Sequence, residues 1–204
     1  MKDLADEIRE VLRRGGTPEL YLDTNVILDV AWGRGEASER LLRAVENRRW
    51  SCATSFFAYM EALDAEQERV YTQSRVRRGL LSVEDAWRTR HQRDLAASSL
   101  GKIDARIFRV IEAHGLFNLI YLEESGWDLA IDLAAACNVL ATDCIHVACA
   151  IAAGCTGLVT SDTTLAKRAA DHIAVATAEK AVKNIEAISP PDASRSAGRD
   201  YAHR

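Results

Sequence analysis

Five short apolar runs, separated by helix-length segments, restrict this fold more than any other feature of the chain. Leu20-Tyr21-Leu22, Trp50 to Ala53, Phe117 to Leu122, Gly157 to Thr160 and Ile173 to Ala176 each have strand length. The segments between them carry helical spacing. Leu41, Leu42 and Val45 share one face of a helix over 37–49, and a further helix is expected over 125–137. Before the first strand, Leu4, Ile8, Val11 and Leu12 share a face of an N-terminal helix that Gly15-Gly16 stops. Thr54 or Ser55 is expected to cap a helix containing Glu61, Thr142 a helix containing Asp143, and Thr163 or Thr164 to open the helix after Asp162. Alternating strand and helix predict a parallel-sheet α/β domain.

The 204 residues fit one large domain, or one domain with an insertion, and a hydrophobic share of 48% is enough for a sizeable core. No apolar run has membrane length, and the charged start MKDLADEIREVLRRGG is unlike a secretory signal. Cys52, Cys137, Cys144, Cys149 and Cys155 form no CxxC pair and lie mostly among Ala, Val and Ile, as reduced thiols of a cytoplasmic protein do. The formal charge of −4 argues against nucleic-acid binding through bulk positive charge. Between Glu66 and Arg106, however, nine Arg or Lys stand against six Asp or Glu, a local basic excess.

Chemistry is expected from four acids: Asp23 in YLDTN, Glu61 in SFFAYMEAL, Asp143 in ATDCIHVA and Asp162 in LVTSD. Asp23 and Asp162 follow strands, and in an open parallel sheet ligands collect beyond the carboxyl ends of the strands. The helix from Asp143 to Gly154 feeds the Leu158–Thr160 strand, so its start should return to that same rim. Each acid alone has an ordinary explanation: Asp23 and Asp162 as caps, Asp143 as an early-helix acid, Glu61 as a solvated helix residue. Together they suit a hard divalent cation, which would relieve their mutual repulsion. His146 is expected to be packed and hydrogen-bonded rather than a ligand.

YLDTNVIL, the Ser55-to-Glu61 segment, TDCIHVACA and LVTSD together resemble the PIN-domain nuclease family, including VapC-type toxins. The resemblance implies a PIN-like parallel-sheet α/β sandwich whose Asp23, Glu61, Asp143 and Asp162 bind Mg²⁺ or Mn²⁺. It implies supporting roles for Asn25 beside Asp23 and Thr160 beside Asp162. The implied activity is a metal-dependent endoribonuclease hydrolysing RNA phosphodiester bonds. The implied partners are an RNA substrate, a small antitoxin protein if the chain is a toxin, and further copies of the chain in a homo-oligomer. Thr163-Thr164-Leu165 follow the fourth acid, where many relatives carry another acid or an aromatic.

The expected organisation is an N-terminal helix over 1–16, a nuclease domain over 17–188 and a flexible tail over 189–204. Residues of about 63–114 form a helical insertion, with helices separated near Gly79 and one starting at Ser82-Val83-Glu84-Asp85. Within it, Arg75, Arg77 and Arg78 are candidate RNA contacts. The non-enzyme alternative is a PIN-like RNA- or protein-binding module. A phosphatase using Asp23 as nucleophile would want an acid two positions on, where Asn25 stands. A phosphorylation receiver would want a lysine ending a later strand, and Ile173 to Ala176 offers none.

Overall fold

All five apolar runs become strands of one sheet. The computed structural model describes residues 2–92, 94–113 and 117–188. In it, β1 (Glu19–Leu22), β2 (Ser51–Ser55), β3 (Phe117–Ile120), β4 (Gly157–Val159) and β5 (Val175–Ala176) lie in the order β3-β2-β1-β4-β5. Every neighbouring pair is parallel. This is the α/β architecture that the alternation predicts.

Side chains alternate across the sheet, so each strand feeds two cores. Leu20 and Leu22 of β1 join one core with Cys52 and Val159, while Tyr21 joins the other with Ala53 and Leu158. The first core is closed by α1 (Leu4–Arg13), α3 (Glu36–Asn47) and α10 (Ala178–Glu186), through Leu4, Ile8, Leu41, Leu42, Val45, Val182 and Ile185. The second is closed by α7 (Glu124–Cys137), α8 (Ala141–Ala152) and α9 (Thr163–Ala169), through Leu133, Val147 and Leu165. Leu4 lies so close over β4 that a Cβ at residue 157 would collide with its Cδ1, which explains a glycine there.

A third cluster joins α2 (Thr24–Trp32), α4 (Phe56–Arg77) and α6 (Ala97–Ala113) through Ile27, Ala58, Ala62, Ile107 and Val110. Ser55 caps α4 by accepting from the Ala58 N–H, as expected. The helix then runs for 22 residues, about 33 Å at 1.5 Å per residue, straight into the segment expected as an insertion. Gly79, at φ +66°, turns the chain toward α5 (Val83–Arg88), which Ser82 caps. The expected Thr142 cap is not what forms. Asn138, at φ 50°, ends α7, and α8 starts with Leu140 at its cap position, so Thr142 lies within the first turn. Residues 189–204, expected as a tail, lie outside the described residues. Among the described residues, no helix is long and apolar enough to cross a membrane.

Candidate active site

The chain leaves β1 for β2 on one side, and β4 and β5 are added on the other. Beyond the carboxyl ends of β1 and β4 a parallel sheet therefore opens a crevice. Asp23 occupies it, only 5% exposed. Its backbone N–H donates to the Val159 carbonyl, extending the β1–β4 ladder by one bond. Its side chain caps α2, with Oδ1 accepting from the Thr24 N–H at 2.6 Å. Oδ2 accepts from Asn25 Nδ2 at 2.7 Å and from Thr160 Oγ1 at 2.6 Å. Three donors thus fix one carboxylate, as a buried charge requires.

Asn25 and Thr160 also bind each other and the next strand end. Asn25 Nδ2 reaches Thr160 Oγ1 at 3.2 Å, and Asn25 Oδ1 accepts from the Ser161 N–H at 2.9 Å. The Asp162 N–H donates to Thr160 Oγ1 at 3.0 Å. Asp162 itself caps α9, taking the Thr164 and Leu165 N–H groups on Oδ1, and its side chain remains exposed to the crevice. Asp23 and Asp162 are therefore caps and rim acids at once, so the two readings of the sequence do not compete.

Glu61 arrives from the second turn of α4. Its Oε2 accepts from Thr24 Oγ1 at 2.6 Å and faces His146 Nε2 at 2.9 Å. Burial alone would push the Glu61 carboxyl up. The hydrogen bonds from His146 and Thr24 together outweigh burial and hold it below its usual range. Asp143 enters on the first turn of α8. Its carboxyl is raised, first by burial and then by the charge of Asp162, with Asp23 and Glu61 adding to the effect. All four predicted acids thus feel one another across one space.

His146, one turn beyond Asp143, is 3% exposed. Nε2 lies 2.9 Å from Glu61 and 3.4 Å from Asp23 Oδ1, and Nδ1 lies 2.9 Å from the Tyr21 hydroxyl. Tyr21 donates its own proton to Ser55 Oγ at 2.8 Å, so its oxygen is available to accept from the imidazole. Burial would depress the imidazole, but the Glu61 bond and the charges of Asp23, Glu61 and Asp143 raise it overall. The expectation of a packed, hydrogen-bonded histidine holds, and His146 also ties Asp23 to Glu61.

The crevice has a volume of about 620 Å³ and is lined by Asp23, Glu61, Asp143 and Asp162 together with Asp64 and Glu68. Sequence reasoning missed the last two. The signal was present, since positions 61, 64 and 68 fall three and seven residues apart and share one face of a helix. Among the described residues, His146 is the one basic side chain in this lining, and Arg90 pairs with Glu68 at 3.3 Å. Such a donor set, all oxygen and strongly negative, fits a hard divalent cation rather than a thiolate-seeking one. Among the described residues, no three His, Cys, Asp or Glu side chains close into a compact cage. The arrangement is an open one, in which Asp23, Glu61, Asp143 and Asp162 could each present a single carboxylate to an ion that keeps its waters.

The three candidate arginines sit elsewhere. Arg75 and Arg77 lie in the last turn of α4 and Arg78 is its C-cap, about 10 to 15 Å along the helix from Glu68. Arg75 packs over the Tyr71 ring, with its guanidinium 3.9 Å from Asp94, while Arg77 and Arg78 are exposed. None of them lines the crevice.

No curated protein matches the chain. The family model described as PIN domain matches residues 20–171, well over half of the chain and the whole span from β1 to α9. PIN domains are generally nucleases, hydrolases that act on nucleic acids and usually use divalent metals. The match includes the strand ends and helix starts that carry Asp23, Glu61, Asp143 and Asp162, and on that ground the chain belongs to the PIN domain family.

Proposed function

We propose that this chain is a Mg²⁺- or Mn²⁺-dependent endoribonuclease that hydrolyses RNA phosphodiester bonds. One observation carries the reading: carboxylates from four separate elements face one crevice, where burial first and then the charge of Asp162 raise Asp143. Clustered like charges oppose folding unless they serve to gather a cation. Asp23, Glu61, Asp143 and Asp162 would hold that ion. When bound, it would supply Lewis acidity, lowering the pKa of water and offsetting charge on the phosphate oxygens.

The chain's own residues set the geometry. Thr160, Asn25 and the Thr24 N–H immobilise Asp23, and Thr24 and His146 immobilise Glu61. Fixed acceptors of this kind need little reorganisation during reaction. Asp143, half-buried at the start of α8, would face the ion as one more carboxylate. Asn25 and Thr160 are positioning residues, and Arg75, Arg77 and Arg78 would contact the RNA backbone beyond the crevice.

The likeness of its motifs to VapC-type toxins extends the proposal. A small antitoxin protein would silence the chain by covering the acidic crevice, and the chain would act as a homo-oligomer in the cytoplasm. Purified protein incubated with mixed RNAs in Mg²⁺, Mn²⁺ or EDTA, beside Asp143→Asn, tests the central claim. Cleavage that needs metal and Asp143 is expected. RNA bound but left intact under every condition would favour the non-catalytic PIN-like binding module instead.

A further inference from the structure

Asp23, Glu61, Asp143 and Asp162 line the crevice, so a polyanion entering it meets a net negative rim that favours it chiefly at a bound cation. Cations outside the crevice are needed to hold it. One group of them lies on the other side of α4, in a pocket of about 580 Å³ between α2, α4 and α6. Arg69, Lys102, Arg106 and Arg109 line it, and among the described residues Glu66 is the one acid in the lining. Lys102, Arg106 and Arg109 are spaced four and three residues apart, so they form a single basic stripe along α6.

An internal ion-pair network does not account for this much charge. Glu66, 1% exposed, is already held by Arg69 through two bonds of 2.6 Å and by Trp32 Nε1 at 2.6 Å. Arg106 adds only a longer contact of 3.2 Å, with its side chain about half exposed. Lys102 and Arg109 are exposed, and among the described residues their side chains have neither an ion pair nor a hydrogen bond. The pocket therefore keeps a surplus of positive charge after its own carboxylate is satisfied. Val30, Val70 and Val110 give it apolar walls, and its volume suits a nucleotide-sized group.

We infer that this pocket binds a phosphate group, and that the phosphate belongs to a nucleotide of an RNA strand whose scissile bond lies in the acidic crevice. The inference rests on the ribonuclease reading for its choice of RNA as the carrier. Arg106, held by Glu66, and the unpaired Lys102 and Arg109 supply the charge. Arg69 and Glu66 form the floor, and the valine walls take the sugar or base.

Binding is tested with the full chain in EDTA, where no cleavage intervenes. Anisotropy of a labelled single-stranded RNA is followed at about 50 and about 200 mM salt. Lys102→Ala/Arg109→Ala should bind roughly tenfold more weakly at low salt. Its salt slope should be shallower by about 1.4, the loss of two phosphate contacts at ~0.7 each. Lys102→Arg/Arg109→Lys should bind like the wild type, which separates charge from packing. Calorimetry with AMP and with inorganic phosphate separates the sources. Loss of RNA affinity in the alanine variant upholds the assignment to the strand; AMP or phosphate binding that the variant loses while RNA affinity is unchanged would overturn it in favour of a free phosphate ligand. Unchanged RNA affinity and salt slope, with no AMP or phosphate binding lost, would overturn the inference. So would a polyglutamate peptide whose binding the variant loses while RNA binding stays intact. A wild type that binds RNA through these residues but cleaves none in Mg²⁺ or Mn²⁺ would sink the nuclease reading alone.

Discussion

Thr160 Oγ1 donates to Asp23 Oδ2 at 2.6 Å, joining the end of β4 to the end of β1 through the two side chains that flank the crevice. The same oxygen accepts from the Asp162 N–H, so one buried hydroxyl sets the position of two of the four acids. Thr160→Val keeps the shape and removes the oxygen. Loss of a hydrogen bond to a charged group should cost about 1.5–3 kcal/mol of stability, and RNA turnover should fall at least tenfold. Thermal melts and single-turnover assays check both. Normal turnover in a folded Thr160→Val protein would deny Thr160 its positioning role.

Asp23→Asn and Asp143→Asn should both abolish metal-dependent cleavage, but they should differ in stability. Asp23 accepts from three donors, and an amide nitrogen in place of one carboxylate oxygen would face an N–H or O–H donor. That mismatch should cost about 1–3 kcal/mol. Asp143 is raised by burial and by neighbouring charge, so its neutral replacement should leave stability unchanged or slightly higher. Urea denaturation of the two variants in EDTA separates these outcomes.

Divalent metal should stabilise the folded chain, because only the fold brings the four carboxylates together. At about a hundred times the dissociation constant, the gain would be about 2.7 kcal/mol. Asp162→Asn should reduce it, and EDTA should abolish it. Equal gains in the wild type and Asp162→Asn would move the ion away from this crevice.

The strands, and Asp23 and Asp162 at their ends, were legible as local signals: a short apolar run, then a carboxylate where the chain turns into a helix. What the sequence hid depends on adjacency across long separations. Tyr21, Ser55, Glu61 and His146 form one network from β1, β2, α4 and α8, and no spacing rule connects them. Asn25 and Thr160 were expected beside different acids, yet both grip Asp23. The basic excess of the insertion pointed to Arg75, Arg77 and Arg78. The concave positive site uses Arg69, Lys102, Arg106 and Arg109, which gather only when α6 folds back against α4. Thr142 looked like a cap because a threonine before an acid often is one, whereas Asn138 starts the turn earlier.

Glu66 offers a test of how α4 packs against α2 and α6 that is independent of catalysis. Its carboxyl is buried beneath Arg69, Trp32 and Arg106. Burial alone would raise it, but the Arg69 and Trp32 bonds and the two guanidinium charges prevail and lower it. A carboxyl lowered in the folded chain adds stability that is present above its unfolded value of about 4.3, and that stability is lost as pH falls through the folded value. Glu66→Gln should therefore cost most near neutrality, about 3 kcal/mol, because Arg69 would keep its charge without a counter-ion. The gap between wild type and variant should narrow steadily below about pH 4, as the wild-type carboxyl protonates. Urea midpoints measured across that range check the sign. A gap that widens in acid, or one that does not change with pH, would show that Glu66 does not hold its arginines as a carboxylate.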